Sequence, residues 1–231
     1  MEFQEIADRI LRAQENISAA CVRCGRKDTV RLIGATKTQS PELITYLNDR
    51  KILSDVGENR VQELTQKYPY GPDLHWHMIG QLQSNKVKYI IDRVDLIHSL
   101  DRISLAQEIQ KQAFKHGIYA DCLIEINMGS ELSKGGIEAD ELLQFVPQVL
   151  QFDRIRIRGL MAVMPNTTDI PQLIGLYRKL RRMYEILPSL VPDNTKVDTL
   201  SCGMSNDYEI AICEGGSTAV RLGRELFGAR I

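Results

Sequence analysis

The 231-residue chain is 43% hydrophobic and 26% charged, enough apolar material for one large domain with a substantial core. Its formal charge of −1 and pI near 6.4 argue against nucleic acid or an anionic membrane as partner, since both are held by a basic excess. No apolar run approaches the roughly 18 residues of a membrane span. The acidic start Met1-Glu2-Phe3-Gln4-Glu5 lacks the basic-then-apolar order of a secretory signal, so the protein is expected in the cytoplasm.

In chain order, Phe3, Ile6, Ile10, Ala13, Ile17 and Ala20 recur at steps of three and four, one face of an amphipathic helix that Cys24-Gly25-Arg26 ends. Residues 1–25 are thus expected to pack as a helix on the body. Eight short apolar runs follow: Arg31–Lys37, Ile52–Gly57, His75–Gly80, Asp95–Leu100, Ala120–Ile126, Ile157–Val163, Asp198–Gly203 and Ala219–Gly223. Each leads through a turn into a helix-period segment. Ser40-Pro41-Glu42 places a capping hydroxyl, a proline and an acid at a helix start, and Gly117 stops the helix that follows Asp101. Alternating strand and helix implies parallel strands with crossover connections. Eight such units predict a single (β/α)8 TIM barrel spanning 1–231, with an open doubly wound sheet as the alternative.

The five cysteines are odd in number and scattered, as suits reduced thiols. Cys21 and Cys24 form a C-x-x-C within a helical stretch, with no second pair at zinc-like spacing. His75 and His77 share one strand face without a third ligand; a packed, hydrogen-bonded layer is expected there and no metal. Arg178-Lys179-Leu180-Arg181-Arg182 reads as a solvated helix face.

Functional groups of a barrel gather at the carboxyl ends of its strands. Lys37 closes the first strand, where partial desolvation favours the neutral, nucleophilic amine; a lysine snorkelling to solvent is the plainer reading of that residue alone. On the side of the ring expected to lie opposite, Ser201-Cys202-Gly203-Met204-Ser205 follows strand seven and Gly223-Arg224 follows strand eight, loops that commonly build a phosphate site. Ser205 is also a candidate cap for the helix carrying Tyr208. Arg221, always charged and inside strand eight, requires a partner such as a pyridine nitrogen or the carboxylate of Glu58. A Schiff-base lysine, a phosphate cradle and an arginine between them describe a pyridoxal 5′-phosphate (PLP) site.

These residues are recognisable. Ala35-Thr36-Lys37-Thr38, Gly57 to Glu63, His75 to Lys86, His98-Ser99-Leu100-Asp101, Lys134-Gly135-Gly136, Gly159-Leu160-Met161, Leu200 to Asp207 and Val220 to Gly228 run nearly end to end. In them the chain resembles the pyridoxal phosphate homeostasis protein family, whose fold is similar to the amino-terminal barrel of alanine racemase. The resemblance implies Lys37 as the aldimine lysine, Asn59 beside the cofactor, Arg221 facing the pyridine nitrogen, and Ser201, Ser205, Gly223 and Arg224 around the phosphate, with Gly203 and Met204 in the same loop. Cys202 stands where the family usually has methionine.

Alanine racemases add a second domain that supplies a catalytic tyrosine. The sequence ends at Ile231 and is expected to lack it, which favours a non-catalytic, monomeric carrier and regulator of PLP, with PLP-dependent enzymes as recipients. The alternatives are a small PLP-dependent racemase or lyase using His77, Tyr208 or a neighbouring chain's residue as second base, and a cofactor-free Schiff-base enzyme of the aldolase kind. Lys134-Gly135-Gly136 reads as a solvated turn, or as a mobile loop whose lysine takes up the aldehyde.

Overall fold

The computed structural model describes residues 3–129, 135–193 and 195–228. The opening amphipathic repeat is helix α1 (Phe3–Arg23), which buries Ile6, Ile10, Ala13, Ile17 and Ala20. The expected apolar runs are parallel strands: β1 (Arg31–Ala35), β2 (Asp55–Glu58), β3 (His75–Met78), β4 (Leu96–Leu100), β5 (Ala120–Asn127), β7 (Ile155–Ala162), β8 (Thr199–Ser201) and β9 (Ala219–Leu222). A ninth strand, β6 (Ile137–Glu138), adds to the end of β5 through Ile126↔Ile137. Its two residues are too few to leave an alternating pattern, and the sequence does not predict it.

The strands close into a ring. β1 pairs with β9 from Arg31↔Ala219 onward, and β4 pairs with β5 at Ile97↔Cys122, so the eight long strands form a barrel with no free edge. The open-sheet alternative is excluded, because it would leave those two pairings unmade.

Helices α2 (Pro41–Arg50), α3 (Val61–Lys67), α4 (Ile103–His116), α5 (Leu142–Val149), α6 (Ile170–Ile186), α7 (Tyr208–Cys213) and α8 (Arg224–Phe227) follow strands in turn. The cap at α2 is as predicted: Ser40 Oγ accepts from Leu43 N at 3.4 Å, with Pro41 first in the helix. Gly117 closes α4, its N–H donating to the Ala113 and Phe114 carbonyls. After β3 the expected α-helix is instead a 3₁₀ segment, Ser84–Tyr89, held by i→i+3 bonds such as Lys86 N to Gln83 O. Helix α1 lies against α7 and α8, and Arg26 fixes the turn behind it by donating to the carbonyls of Ile212 and Ser217. Among the described residues no helix is long and apolar enough to cross a membrane.

Most of the hydrophobic core lies outside the barrel, between strands and helices. Val56, Trp76, Met78, Ile97 and Leu200 point there, wholly buried. Burial of each such large side chain stabilises by about 1.5–3 kcal/mol. Inside the barrel the apolar filling is a separate, small cluster of Leu96, Leu123 and Met161 with Val163. It shares the interior with polar His77, His98, Ser201 and Arg221, all at most 5% exposed. Gly159 lets β7 and β8 close around this filling: its φ is +149°, and a Cβ there would fall 1.7 Å from Thr199 O.

Candidate functional site

The ring closure settles where the candidate residues stand. β8, β9, β1 and β2 are consecutive neighbours, so Ser201 to Ser205, Arg221 to Arg224, Lys37 and Asn59 occupy one arc of the mouth. The expectation that the strand-seven and strand-eight loops face Lys37 from across the ring is corrected: closure of the barrel pairs the last strand with the first.

Lys37 sits two residues beyond β1, later than the sequence predicts. Thr36 still bonds β2 through its N–H to Gly57 O at 3.0 Å, and the chain then turns at Lys37 and Thr38, the latter at φ +65°. Lys37 is half-buried. A buried cluster fixes the turn around it. Lys67 Nζ lies 2.8 Å from Glu58 Oε1, 2.8 Å from Thr36 O and 3.3 Å from Glu63 Oε2. Thr36 Oγ1 donates to Glu58 Oε1 at 2.8 Å, and Thr38 N donates to Glu63 Oε2 at 2.7 Å. Burial pushes the Glu58 carboxyl above its ordinary range, opposed by Lys67 and Thr36. Glu58 is therefore Lys67's partner, which removes the carboxylate alternative offered for Arg221. The only sequence signal for Lys67 is its i,i+4 spacing from Glu63.

Arg221 finds its partners across β8 and β7. Nη1 donates to Ser201 O at 2.8 Å and to Ser201 Oγ at 2.6 Å, and Nη2 donates to Ala162 O at 3.0 Å. These account for three of the five guanidinium N–H groups and leave two for a further acceptor. The Arg221 backbone N–H holds Gly203 O at 3.0 Å. Gly203 is at φ +94°, and a Cβ would fall 2.7 Å from that of Ala211, so this loop tolerates only glycine there.

In the loop after β8, Met204 N donates to Asp207 Oδ1 at 2.7 Å. Ser205 Oγ accepts from Glu225 N at 3.4 Å, joining the β8 loop to α8. Ser205 thus does not cap α7; Asp207 occupies that position. Arg224, exposed beyond Gly223, donates to Asn206 Oδ1 at 3.1 Å. Asn59 follows β2 and is exposed. Cys202 is wholly buried behind the loop, where burial raises its thiol to about 12. Lys134 lies outside the described residues.

One group absent from the sequence-derived site also faces the mouth. Glu125 lies near the carboxyl end of β5, on the same strand face as the interior residue Leu123. It is 8% exposed, and its Oε2 has no hydrogen-bond partner among the described residues. Burial and the nearby Asp101 raise it to about 7, against the pull of Arg221 and Arg102. Its sequence signal is an acid inside the apolar run Leu123-Ile124-Glu125-Ile126.

The amino-terminal end of the barrel carries a different chemistry. A cavity of about 440 Å³ there is lined by Arg31, Asp55, His75, His77, Asp121 and Arg158 among others. Its charges pair with one another: Arg158 with Asp121 at 2.8 Å and with Asp198, and Arg31 with Asp55 at 3.6 Å. This end closes the fold. His75 is exposed and bonds Asp95, while His77 is buried, so the two do not act as a pair. Among the described residues no group of three His, Cys, Asp or Glu could hold a metal.

The family described as "Alanine racemase, N-terminal domain" matches residues 12–231. The chain is 44% identical over 226 residues to the pyridoxal phosphate homeostasis protein of Aquifex aeolicus, covering 96% of this chain and 97% of that one. It is similar to PipY of Synechococcus elongatus solved with PLP bound, at 30% identity and TM-score 0.79, covering 96% and 100% of the two chains. It shares its fold with an alanine racemase of Clostridium difficile, at 15% identity and TM-score 0.76, over 96% of this chain and 60% of that one. The chain belongs to the pyridoxal phosphate homeostasis proteins, within the alanine racemase amino-terminal-domain family.

Proposed function

We propose that the chain holds PLP as a Schiff base on Lys37 and serves PLP homeostasis in the cytoplasm as a monomeric carrier and regulator, without turnover of its own. The observation that carries this reading is the arc formed by β8, β9, β1 and β2, which gathers an amine, a buried guanidinium and two polar loops in one quadrant of the mouth. When bound, PLP supplies an electrophilic aldehyde and a phosphate anchor. Lys37 would take the aldehyde; Ser205, Gly203, Met204, Gly223 and Arg224 would hold the phosphate, with Ser201 bordering that cradle from the barrel interior; Asn59 would border the ring.

Arg221, with two N–H groups to spare, is suited to an unprotonated pyridine nitrogen. A guanidinium does not give up its proton, so it leaves that nitrogen without the positive charge that drains electrons from a reacting carbon. This weak electron sink favours carriage over catalysis and agrees with the name borne by the Aquifex relative. PLP-dependent enzymes that lack cofactor are the recipients in this reading.

Reduction of the PLP-loaded protein with borohydride tests the anchor. An adduct mapped by mass spectrometry to Lys37 is expected, with visible-edge absorbance lost in Lys37→Ala. No absorbance on adding PLP, or absorbance unchanged in Lys37→Ala, overturns the assignment; the first result favours a cofactor-free Schiff-base enzyme. Glu125 favours the second reading, a racemase or lyase, because β5 lies across the ring from β1 and a carboxyl raised to about 7 can move a proton there. Rapid α-proton exchange of an amino acid in deuterated water, abolished in Glu125→Gln, decides for that reading.

A further inference from the structure

A continuous line of hydrogen bonds crosses the barrel interior from its amino-terminal end to Arg221. Asp55 Oδ1 is 3.0 Å from His77 Nε2, and His77 Nδ1 is 2.9 Å from His98 Nε2. His98 Nδ1 is 3.1 Å from Ser201 Oγ, and Ser201 Oγ is 2.6 Å from Arg221 Nη1. Its members come from β2, β3, β4, β8 and β9. His77 and His98 are 1% and 0% exposed, so no solvent completes their bonding.

The two ends dictate the protons between them. The Asp55 carboxylate only accepts, so His77 donates to it from Nε2; a ring with that single hydrogen has Nδ1 as an acceptor. His98 must then donate from Nε2 and accept at Nδ1, which makes Ser201 the donor there. From the other end, Arg221 only donates, so Ser201 Oγ accepts from it and its hydroxyl hydrogen is available to His98. The Arg221 end is compatible with the arrangement that the Asp55 end selects. The His98 imidazole is also held neutral, far below its ordinary range, by burial, by His77 and by Arg221.

We propose that Asp55, His77 and His98 are positioning residues for the cofactor site: a one-way hydrogen-bond chain that fixes Ser201 from the opposite end of the barrel and, through it, the Arg221 guanidinium that faces the pyridine nitrogen. This rests on the PLP reading. It adds that the side which sets the cofactor's electronic state is built from the floor of the barrel, and that Ser201 spends its only hydrogen inward. Donation of a hydroxyl to the phosphate then falls to Ser205, whose oxygen already accepts from Glu225 N.

Two measurements test the chain. In cofactor-free wild type, ¹⁵N NMR of the histidines is expected to show His77 and His98 as neutral Nε2–H tautomers at neutral pH. A hydrogen on Nδ1 of either, or a doubly protonated ring, overturns the proposal whether or not PLP binds. In the loaded protein, His98→Leu is expected to shift the visible band of bound PLP and to weaken PLP binding roughly tenfold or more, the scale of one charge-assisted hydrogen bond. His98→Gln, whose amide both accepts and donates, restores the band. A wild-type band and affinity in His98→Leu overturns the proposal, as does His98→Gln behaving like His98→Leu while folded by circular dichroism. If His98→Leu does not fold, the wild-type tautomers and the His98→Gln band decide. Wild type that takes up no PLP removes the cofactor reading alone.

Discussion

Replacing Lys67 by methionine removes the cation that neutralises Glu58 while retaining most of the side-chain volume. The Lys67 and Glu58 side chains are 6% and 0% exposed, so solvent cannot take the missing partner's place. Glu58 Oε2 already lacks a hydrogen bond among the described residues. Breaking a buried pair from one side costs about 3–5 kcal/mol, because the remaining charge stays desolvated. For a chain of this size that corresponds to a fall in Tm of roughly 6–20 °C. The same change frees Thr36 O, which Lys67 holds at 2.8 Å beside Lys37, so PLP uptake is expected to fall with stability. The assay is urea unfolding of wild type, Lys67→Met, Glu58→Gln and the double variant. The double variant should regain part of the loss, with an interaction of about 0.5–3 kcal/mol, because it removes the stranded charge. A Lys67→Met protein within about 1 kcal/mol of wild type, or a double variant as unstable as the sum of its singles, refutes the pairing.

Glu125→Gln is expected to flatten one component of the stability–pH curve. The folded carboxyl is raised from 4.5 to about 7, so its neutral form favours the native state fully below about pH 4.5. That contribution is lost as pH rises through 7 and amounts to on the order of 3 kcal/mol. Denaturation at pH 5 and pH 8 should therefore show wild type losing stability relative to Glu125→Gln, and equal changes in the two would sink the assignment. Gly159→Ala should prevent folding or cost more than about 4 kcal/mol, since its Cβ would overlap Thr199 O; expression and circular dichroism report it. Ser205→Ala should reduce the preference for PLP over unphosphorylated pyridoxal in equilibrium binding, whereas Ser201→Ala should leave that preference in place.

Local pattern was sufficient for the elements. Eight apolar runs separated by helix-period segments survive as eight parallel strands, because alternation of strand and crossover is itself a local property of the chain. The first helix, its buried stripe, the Ser40 cap and the Gly117 stop follow from residues within one or two turns of each other. The identity of the strand-end residues could likewise be read, since a lysine, glycines and arginines beside apolar runs stand out in one dimension.

What the pattern could not carry was anything that depends on which strands meet. Only closure makes β9 the neighbour of β1 and brings Arg221 and Lys37 to the same side. Partnering was equally invisible: Arg221 reaches Ser201 and Ala162, and Glu58 belongs to Lys67. The first depends on which strands lie beside β9 and the second on how α3 packs back on β2, and the energies of both depend on burial. His77 and His98 are 21 residues apart in sequence, and Glu125 is one acid among 30. Their meaning comes from the dry barrel interior, where each proton must have a place.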